Sequence, residues 1–189
     1  MNIKKIIWAR SAEQFELAQN EVTLDISEEE DLIEFFVNGP FRDKNNHIHW
    51  HGGRYCVTYH FSIKVPFKTD LDLETVNDGS IKIAEIKGRC SANNINGGIE
   101  ATGIHEVNKI YALNEDVLIH FNKNPTQDCI VGSLNGDVRL YFNPNLSADF
   151  IIKTFNGEVY SDFEVERIDG EAYVTINKRD KHHYKNRSS

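Results

Sequence analysis

Cysteine is scarce in this chain, and the three that occur, Cys56, Cys90 and Cys129, are far apart in the sequence. An odd number of isolated cysteines excludes a disulfide framework. No two of them form a C-x-x-C pair, which excludes a structural zinc site of that type.

Basic residues are fewer than acidic ones: the chain contains 21 lysines and arginines and 29 aspartates and glutamates, and its formal net charge is −8. This balance argues against nucleic acid or anionic lipid as a non-specific partner. Long apolar runs are also missing, so we expect no membrane insertion by this chain. The apolar stretch of residues 1–10 is too short for a signal peptide and is interrupted by Arg10. The protein is therefore either cytoplasmic or exported through a signal outside this chain.

A repeat of about twenty residues is present instead, and each copy contains an Asn at a turn, usually followed by Gly. Leu113-Asn114-Glu115-Asp116-Val117 matches Leu134-Asn135-Gly136-Asp137-Val138 at an offset of 21 residues. The turn asparagines are spaced 19, 18, 21 and 21 residues apart: Asn77, Asn96, Asn114, Asn135 and Asn156. The turn glycines are Gly79, Gly97, Gly136 and Gly157, and Glu115 replaces Gly in the third copy. Asn and Gly tolerate a positive φ, which a sharp turn between strands can require.

Three columns of this repeat are apolar in nearly every copy, which is typical of side chains stacked in a shared interior. The column just before Asn holds Val76, Ile95, Leu113, Leu134 and Phe155. The column four before Asn holds Leu73, Ala92, Ile110, Val131 and Ile152. The column after the turn holds Ile81, Ile99, Val117, Val138 and Val159. Alternation with period two around the turns indicates strands, and a simple hairpin meander would not produce such columns.

The repeat predicts an all-β fold, a right-handed single-stranded β-solenoid (β-helix) with rungs of about 18–21 residues. We expect one domain over residues 1–189. Residues 1–65 form an N-terminal cap with degenerate rungs, one of them around Asn38, and residues 66–165 form the repeat rungs. Residues 166–189 contain a C-terminal strand, around 172–176, followed by a mobile or truncated tail.

Several of these segments resemble a bacterial adhesin-like repeat domain family, whose molecular function is not established. The resembling segments are Val65-Pro66, Asp70–Gly79, Asn96–Ala101, Ser133–Val138, Leu146–Asp149 and Lys153–Gly157. The order of the rungs agrees as well as the turns, over roughly residues 35–165. The resemblance implies a right-handed β-solenoid and a setting in the cell envelope or at the cell surface. It implies no catalytic residue.

Two sets of side chains are candidate metal ligands. His47, His49 and His51 alternate over five residues, so an extended backbone would place three imidazoles on one face. The other interpretation is an exposed strand or hairpin end, because Gly52-Gly53 follows. Asp116, Asp137 and Glu158 follow the turns of three consecutive rungs, so they are either solvated or hold a cation such as calcium.

The turn asparagines are expected to form a structural ladder inside the solenoid, each amide bonding to the next rung. Cys90, Cys129 and Phe150 share one repeat column, which favours a buried packing role for the two cysteines over a role as nucleophile. Ser133 lacks the G-x-S-x-G spacing of a nucleophile elbow. Asp137, Asp162 and Glu164 are the acids available to a polysaccharide lyase or hydrolase, but no long rung insertion is present to wall a cleft.

The sequence therefore predicts a non-catalytic structural or protein-interaction module of the bacterial cell envelope, with no cofactor. The partner would be a protein or a surface glycan, and pairing of solenoid ends or edges could produce oligomers. The alternative is a carbohydrate-binding or carbohydrate-processing β-helix. A third hypothesis is a metal-responsive module that uses His47, His49 and His51.

Overall fold

The computed structural model describes residues 1–41, 55–77, 79–154, 157–162, 166–168 and 171–176. The chain divides into two compact units, residues 1–64 and 65–189, called here the N-terminal unit and the solenoid unit. Within the described residues, both units consist mostly of strands and the chain contains one short helix.

The described part of the N-terminal unit consists of two antiparallel strand pairs and a helix. Its elements are β1 (Asn2–Ala9), α1 (Ala12–Glu21), β2 (Thr23–Glu28), β3 (Ile33–Asn38) and β4 (Tyr55–Ser62). β1 pairs with β4, and β2 pairs with β3 across the acidic turn. Asn38, proposed above as the turn of a degenerate rung, pairs with Thr23 at the end of this hairpin. Antiparallel pairing excludes a solenoid rung at that position.

Helix α1 was not expected from the repeat analysis, although the sequence contains a signal for its start. The Gln14 N–H donates to Ser11 Oγ at 3.2 Å, and the Arg10 N–H donates to Gln14 Oε1 at 3.2 Å. This reciprocal arrangement resembles a capping box, whose pattern is Ser-x-x-Gln. At the other end, Lys5 Nζ donates to the carbonyls of Ala18, Gln19 and Val22.

The solenoid unit confirms the predicted β-solenoid, with roughly four turns. Its first eight strands are β5 (Leu71–Thr75), β6 (Ile81–Ala84), β7 (Arg89–Asn94), β8 (Ile99–Ile104), β9 (Glu106–Ala112), β10 (Val117–Phe121), β11 (Ile130–Ser133) and β12 (Val138–Tyr141). They form two parallel sheets, β5-β7-β9-β11 and β6-β8-β10-β12. Each rung contributes one strand to each sheet, and the Asn turn joins the two.

Two of the three predicted interior columns are correct. Ile81, Ile99, Val117 and Val138 are in register across their sheet, as are Leu73, Ala92, Ile110 and Val131 across the other. Their central members, such as Ile99, Ile110 and Val117, are almost fully buried. The period-two pattern therefore identified the side chains that pack between the sheets.

The third predicted column, just before the turn Asn, is not interior. Val76, Ile95 and Leu113 are half-buried, and Leu134 is 63% exposed. Side chains of a strand alternate between its two faces, so the residue two before Asn points inward like the residue four before it. Asn94 and Ala112 occupy this position and are fully buried. The residue just before Asn lies at the corner, where the chain leaves the sheet.

The solenoid unit ends in an antiparallel sheet of β13 (Ala148–Ile152), β15 (Glu171–Ile176) and β14 (Glu166–Ile168). β15 confirms the strand predicted at 172–176. β13 pairs with β15 rather than in parallel with β11, so within the described residues the parallel ladder ends at β11 and β12. Asn156 of the predicted fifth rung lies outside the described residues.

Candidate interaction surfaces

The turn asparagines form a ladder of side-chain hydrogen bonds along one corner of the solenoid. Asn96 donates to Asn77 at 3.3 Å, Asn114 to Asn96 at 2.8 Å, and Asn135 to Asn114 at 2.8 Å. The ladder is on the outside, because all four side chains are exposed. The interior position expected for it belongs to the residue two before each Asn.

The residue two before the turn Asn closes the turn, a role that the sequence analysis missed. Asn94 Oδ1, Ser133 Oγ and Thr154 Oγ1 accept from the N–H groups of Gly97, Gly136 and Gly157 at 3.0, 2.9 and 2.8 Å. Short polar side chains often close turns in this way. Four of the five copies have Thr, Asn or Ser at this position: Thr75, Asn94, Ser133 and Thr154. The third copy has Ala112 there, and it is the copy in which Glu115 replaces Gly.

The turn glycines do not supply a positive φ, contrary to the expectation from Asn-Gly pairs. Among the described residues, φ lies in the left-handed region only at Glu85 (56°) and Gly103 (68°), away from these turns. At Gly97, a Cβ would overlap the carbonyl of Gly79, and at Gly136 it would overlap the backbone of Glu115. Glycine is needed because the backbones of successive turns touch.

An arginine occupies the place of the cation considered between the acidic turn residues. Arg139 lies 2.7 Å from Asp137 and 3.5 Å from Asp116, and the Asp137 N–H donates to Asp116 Oδ1 at 2.9 Å. The hydrogen bond to Asp137, and the nearby charge of Asp116, raise the pKa of the guanidinium. Glu158 instead accepts a hydrogen bond from the hydroxyl of Tyr160. Asp116 and Asp137 thus share one cationic partner from within the chain.

Next to Arg139, two aromatic rings stack on the outer face of the sheet β6-β8-β10-β12. The His120 and Tyr141 rings are parallel within 4°, with centroids 4.2 Å apart. His120 is half-buried and Tyr141 is 49% exposed. An exposed aromatic ring beside charged hydrogen-bonding groups is a combination suited to polar ligands that also have an apolar face.

Cys90 is interior filler, as its repeat column predicted. It is fully buried, lies between Leu71 and Val107 in register, and burial with the nearby Asp70 raises its pKa to about 11. Burial also raises the pKa of Cys129. Both thiols are therefore kept in the protonated, unreactive form at neutral pH.

The remaining candidates are separated or lie outside the described residues. Ser133 Oγ is engaged in its turn, where it also donates to the Glu115 carbonyl at 2.8 Å. His47, His49 and His51, and also Glu164, lie outside the described residues. Within the part of the chain that the structure describes, no three His, Cys, Asp or Glu side chains are grouped to hold a metal ion. The same part contains no helix long and apolar enough to cross a membrane.

Comparisons with protein-family models, with curated proteins and with solved structures found no match to this chain. The resemblance to the adhesin-like repeat domains therefore stays a prediction from the turn pattern.

Proposed function

We propose that this chain is a non-catalytic, adhesin-like β-solenoid that acts as a structural or protein-interaction module of the bacterial cell envelope. The observation that carries the proposal is the regular outer surface of the two parallel sheets. Their strands are in register except for single bulges, so exposed side chains recur at the strand spacing of about 4.8 Å.

The side chains on these faces already hold each other in place. Lys82 pairs with Glu100 at 3.2 Å, and Asn108 donates to Ser91 Oγ at 3.2 Å on the other sheet. Such cross-strand pairs order the surface before a partner arrives, which lowers the entropy lost on binding. A pre-ordered, elongated surface suits a partner that contacts several rungs at once.

Site-specific photo-cross-linking in the bacterium that encodes the protein tests this proposal. A photoreactive amino acid would replace Thr102 on the outer face of β8, or Asn93 on the outer face of β7, both of which are exposed. The control position is Lys123, exposed on the loop between β10 and β11. We expect an envelope protein to be cross-linked from one face and not from the control. Equal labelling from all three positions, or cleavage of envelope polysaccharide by the purified chain, would contradict the proposal.

A second function, carbohydrate binding, is favoured by the His120–Tyr141 pair beside Asp137 and Arg139. Sugar rings stack on exposed aromatic side chains while neighbouring charged groups bind their hydroxyls. The test is binding of the purified chain to an array of bacterial surface glycans. Tyr141→Ala should weaken a detected interaction by about tenfold, whereas Tyr111→Ala, on the other sheet, should not. An unchanged affinity in Tyr141→Ala would exclude this surface.

A further inference from the structure

The hairpin of β2 and β3 is a two-stranded ribbon in the N-terminal unit, and one edge of β2 has no strand partner in the described part of the chain. Within the described residues, β2 pairs only with β3. The backbone N–H and C=O groups on the other edge of Thr23–Glu28 therefore have no strand partner there. A free edge of this kind is a template for a further strand, and two-stranded ribbons gain stability when a third strand is added.

One face of the ribbon contains an open cavity of about 390 Å³, lined by Asp25, Ile26, Ser27, Glu34 and Phe36. Asp25 lies opposite Phe36 in the register, and Ser27 lies opposite Glu34. The carboxylates of Asp25 and Glu34 accept only long hydrogen bonds of 3.4 Å, from Thr23, Asn38 and Ser27. No cationic side chain of the described residues pairs with either carboxylate. The cavity thus presents two carboxylates that no cationic side chain in the described part of the chain neutralises.

The opposite face of the ribbon is apolar. Leu24 lies opposite Val37, and Ile26 lies opposite Phe35, whose ring contacts Phe61 of β4. Coverage decreases toward the turn, where Ile26 is 52% and Ile33 is 58% exposed. The two faces of the ribbon therefore differ: one contains Asp25 and Glu34, and the other is apolar except for Glu28 next to the turn.

The charge of the hairpin indicates which strand would fit its edge. Residues 22–38 contain six carboxylates, Asp25, Glu28, Glu29, Glu30, Asp31 and Glu34, and no lysine or arginine. Neighbouring strands share faces, so a third strand would place alternate side chains beside the acidic face and the others beside the apolar face. Complementarity therefore requires basic and apolar residues in alternation.

We propose that the free edge of β2 binds an extended segment of a partner protein in which basic and apolar residues alternate. Its backbone adds a third strand to the ribbon, which is the β-augmentation mode of peptide recognition. One Lys or Arg of the segment lies in the cavity, between Asp25 and Glu34. This surface belongs to the N-terminal unit, so a negative result for peptide binding would not contradict the function proposed for the solenoid faces.

The test measures fluorescence anisotropy of labelled synthetic peptides with the full chain. One peptide alternates lysine and valine over about eight residues, the length that matches a strand such as β2. A second peptide has the same composition in two blocks. We expect the alternating peptide to bind about tenfold more tightly than the block peptide, because only alternation matches both faces. Equal binding of the two peptides, or no binding at low salt, would overturn the proposal.

Matched variants locate the site. Asp25→Asn with Glu34→Gln removes two charges from the cavity, whereas Glu29→Gln with Glu30→Gln removes two from the turn. The cavity variant should lose about tenfold in affinity, and the turn variant should stay within about twofold. Equal losses would indicate non-specific attraction of a polycation. Circular dichroism of both variants must match the parent chain, and N-methylation of the peptide on the edge facing β2 should abolish binding.

Discussion

Gly97 and Gly136 allow successive turns of the solenoid to stack with their backbones in contact. At Gly97, an added Cβ would overlap the Gly79 carbonyl and would lie 2.8 Å from Asn94 Nδ2. At Gly136, it would overlap the backbone of Glu115. Backbone atoms in a stacked rung cannot move aside without disturbing the ladder, so these contacts are the reason for glycine at both positions.

Gly136→Ala should therefore destabilise the solenoid unit by about 2 kcal/mol or more. The matched control is Gly79→Ala, since its Cβ would meet the Asn77 carbonyl at 3.6 Å and Thr75 Oγ1 at 3.7 Å, both ordinary contacts. Chemical denaturation followed by circular dichroism gives the free energy of unfolding of each variant. Similar losses at both positions would show that close stacking is not the cause.

The middle of the exposed asparagine ladder is Asn114, which both donates to Asn96 and accepts from Asn135. Asn114→Ala removes both hydrogen bonds, and we expect a loss of about 1–2 kcal/mol in the free energy of unfolding. Asn93→Ala, on the outer face of β7, is the control. If the ladder does not contribute to stability, Asn114→Ala and Asn93→Ala will have the same free energy of unfolding.

At the scale of elements, helix α1 depends on a strand residue for its C-terminal end. Lys5 Nζ on β1 donates to three carbonyls at 3.4, 3.0 and 2.6 Å, and partial burial lowers its pKa. The last carbonyls of a helix lack a following turn to bond them, so the ammonium satisfies groups that would otherwise depend on water. The Ala18 carbonyl also accepts from the Val22 N–H at 3.2 Å.

Lys5→Met keeps the length of the side chain but removes its donors. We expect it to cost about 2 kcal/mol and to lower the helical signal in circular dichroism. Lys4→Met, on the exposed face of β1, removes the same charge without touching α1 and should change stability by less than about 0.5 kcal/mol. Equal behaviour of the two would mean that the loss of charge alone matters.

Within the solenoid, the equivalent residues Val117 and Val138 differ in how well they are covered. Val117 is fully buried between neighbouring rungs, whereas Val138, on the last strand of its sheet, is 40% exposed. Val117→Ala should cost about 2–3 kcal/mol and Val138→Ala less than about 1 kcal/mol, because only the first leaves a closed cavity. Equal costs in urea denaturation would show that the last rung is covered in solution.

At the scale of the whole molecule, the buried side chains of the solenoid form one continuous core. The reactivity of the buried Cys90 thiol therefore measures how often the rungs separate. Cys90 is reached only if the rungs on either side separate. Its pKa of about 11 exceeds the ordinary value of 9.0, so its protonation stabilises the fold below pH 9. That contribution is lost as the pH rises from about 9 to about 11, because the unfolded thiol ionises first.

Alkylation with iodoacetamide at pH 8, followed by mass spectrometry, measures this accessibility. We expect the exposed Cys56 to react first and Cys90 to react only from the unfolded state. Urea below the unfolding midpoint should accelerate Cys90 in proportion to the unfolded fraction. Labelling of Cys90 as fast as Cys56 would mean that the solenoid opens locally at that rung.

The sequence by itself determined which residues are equivalent. The spacing of Asn77, Asn96, Asn114 and Asn135 predicted the rungs, and period-two alternation predicted the stacked columns of Val117 and Ile110. These follow from sequence because identical rungs repeat the same local pattern. The capping residues of α1 and the polar residues two before each Asn were also readable, but the repeat analysis did not use them.

Only the tertiary structure decided what happens where the alternation breaks. At the corners the chain leaves the sheet, and contacts with neighbouring rungs determine the structure there. They hold the Asn114 side chain on the outside, and they leave no room for a side chain at Gly136. Arg139 reaches Asp116 on the neighbouring rung, and β13 pairs with β15, about twenty residues further along the chain. These contacts join residues that are distant in sequence, and a local pattern contains no information about which distant groups will meet.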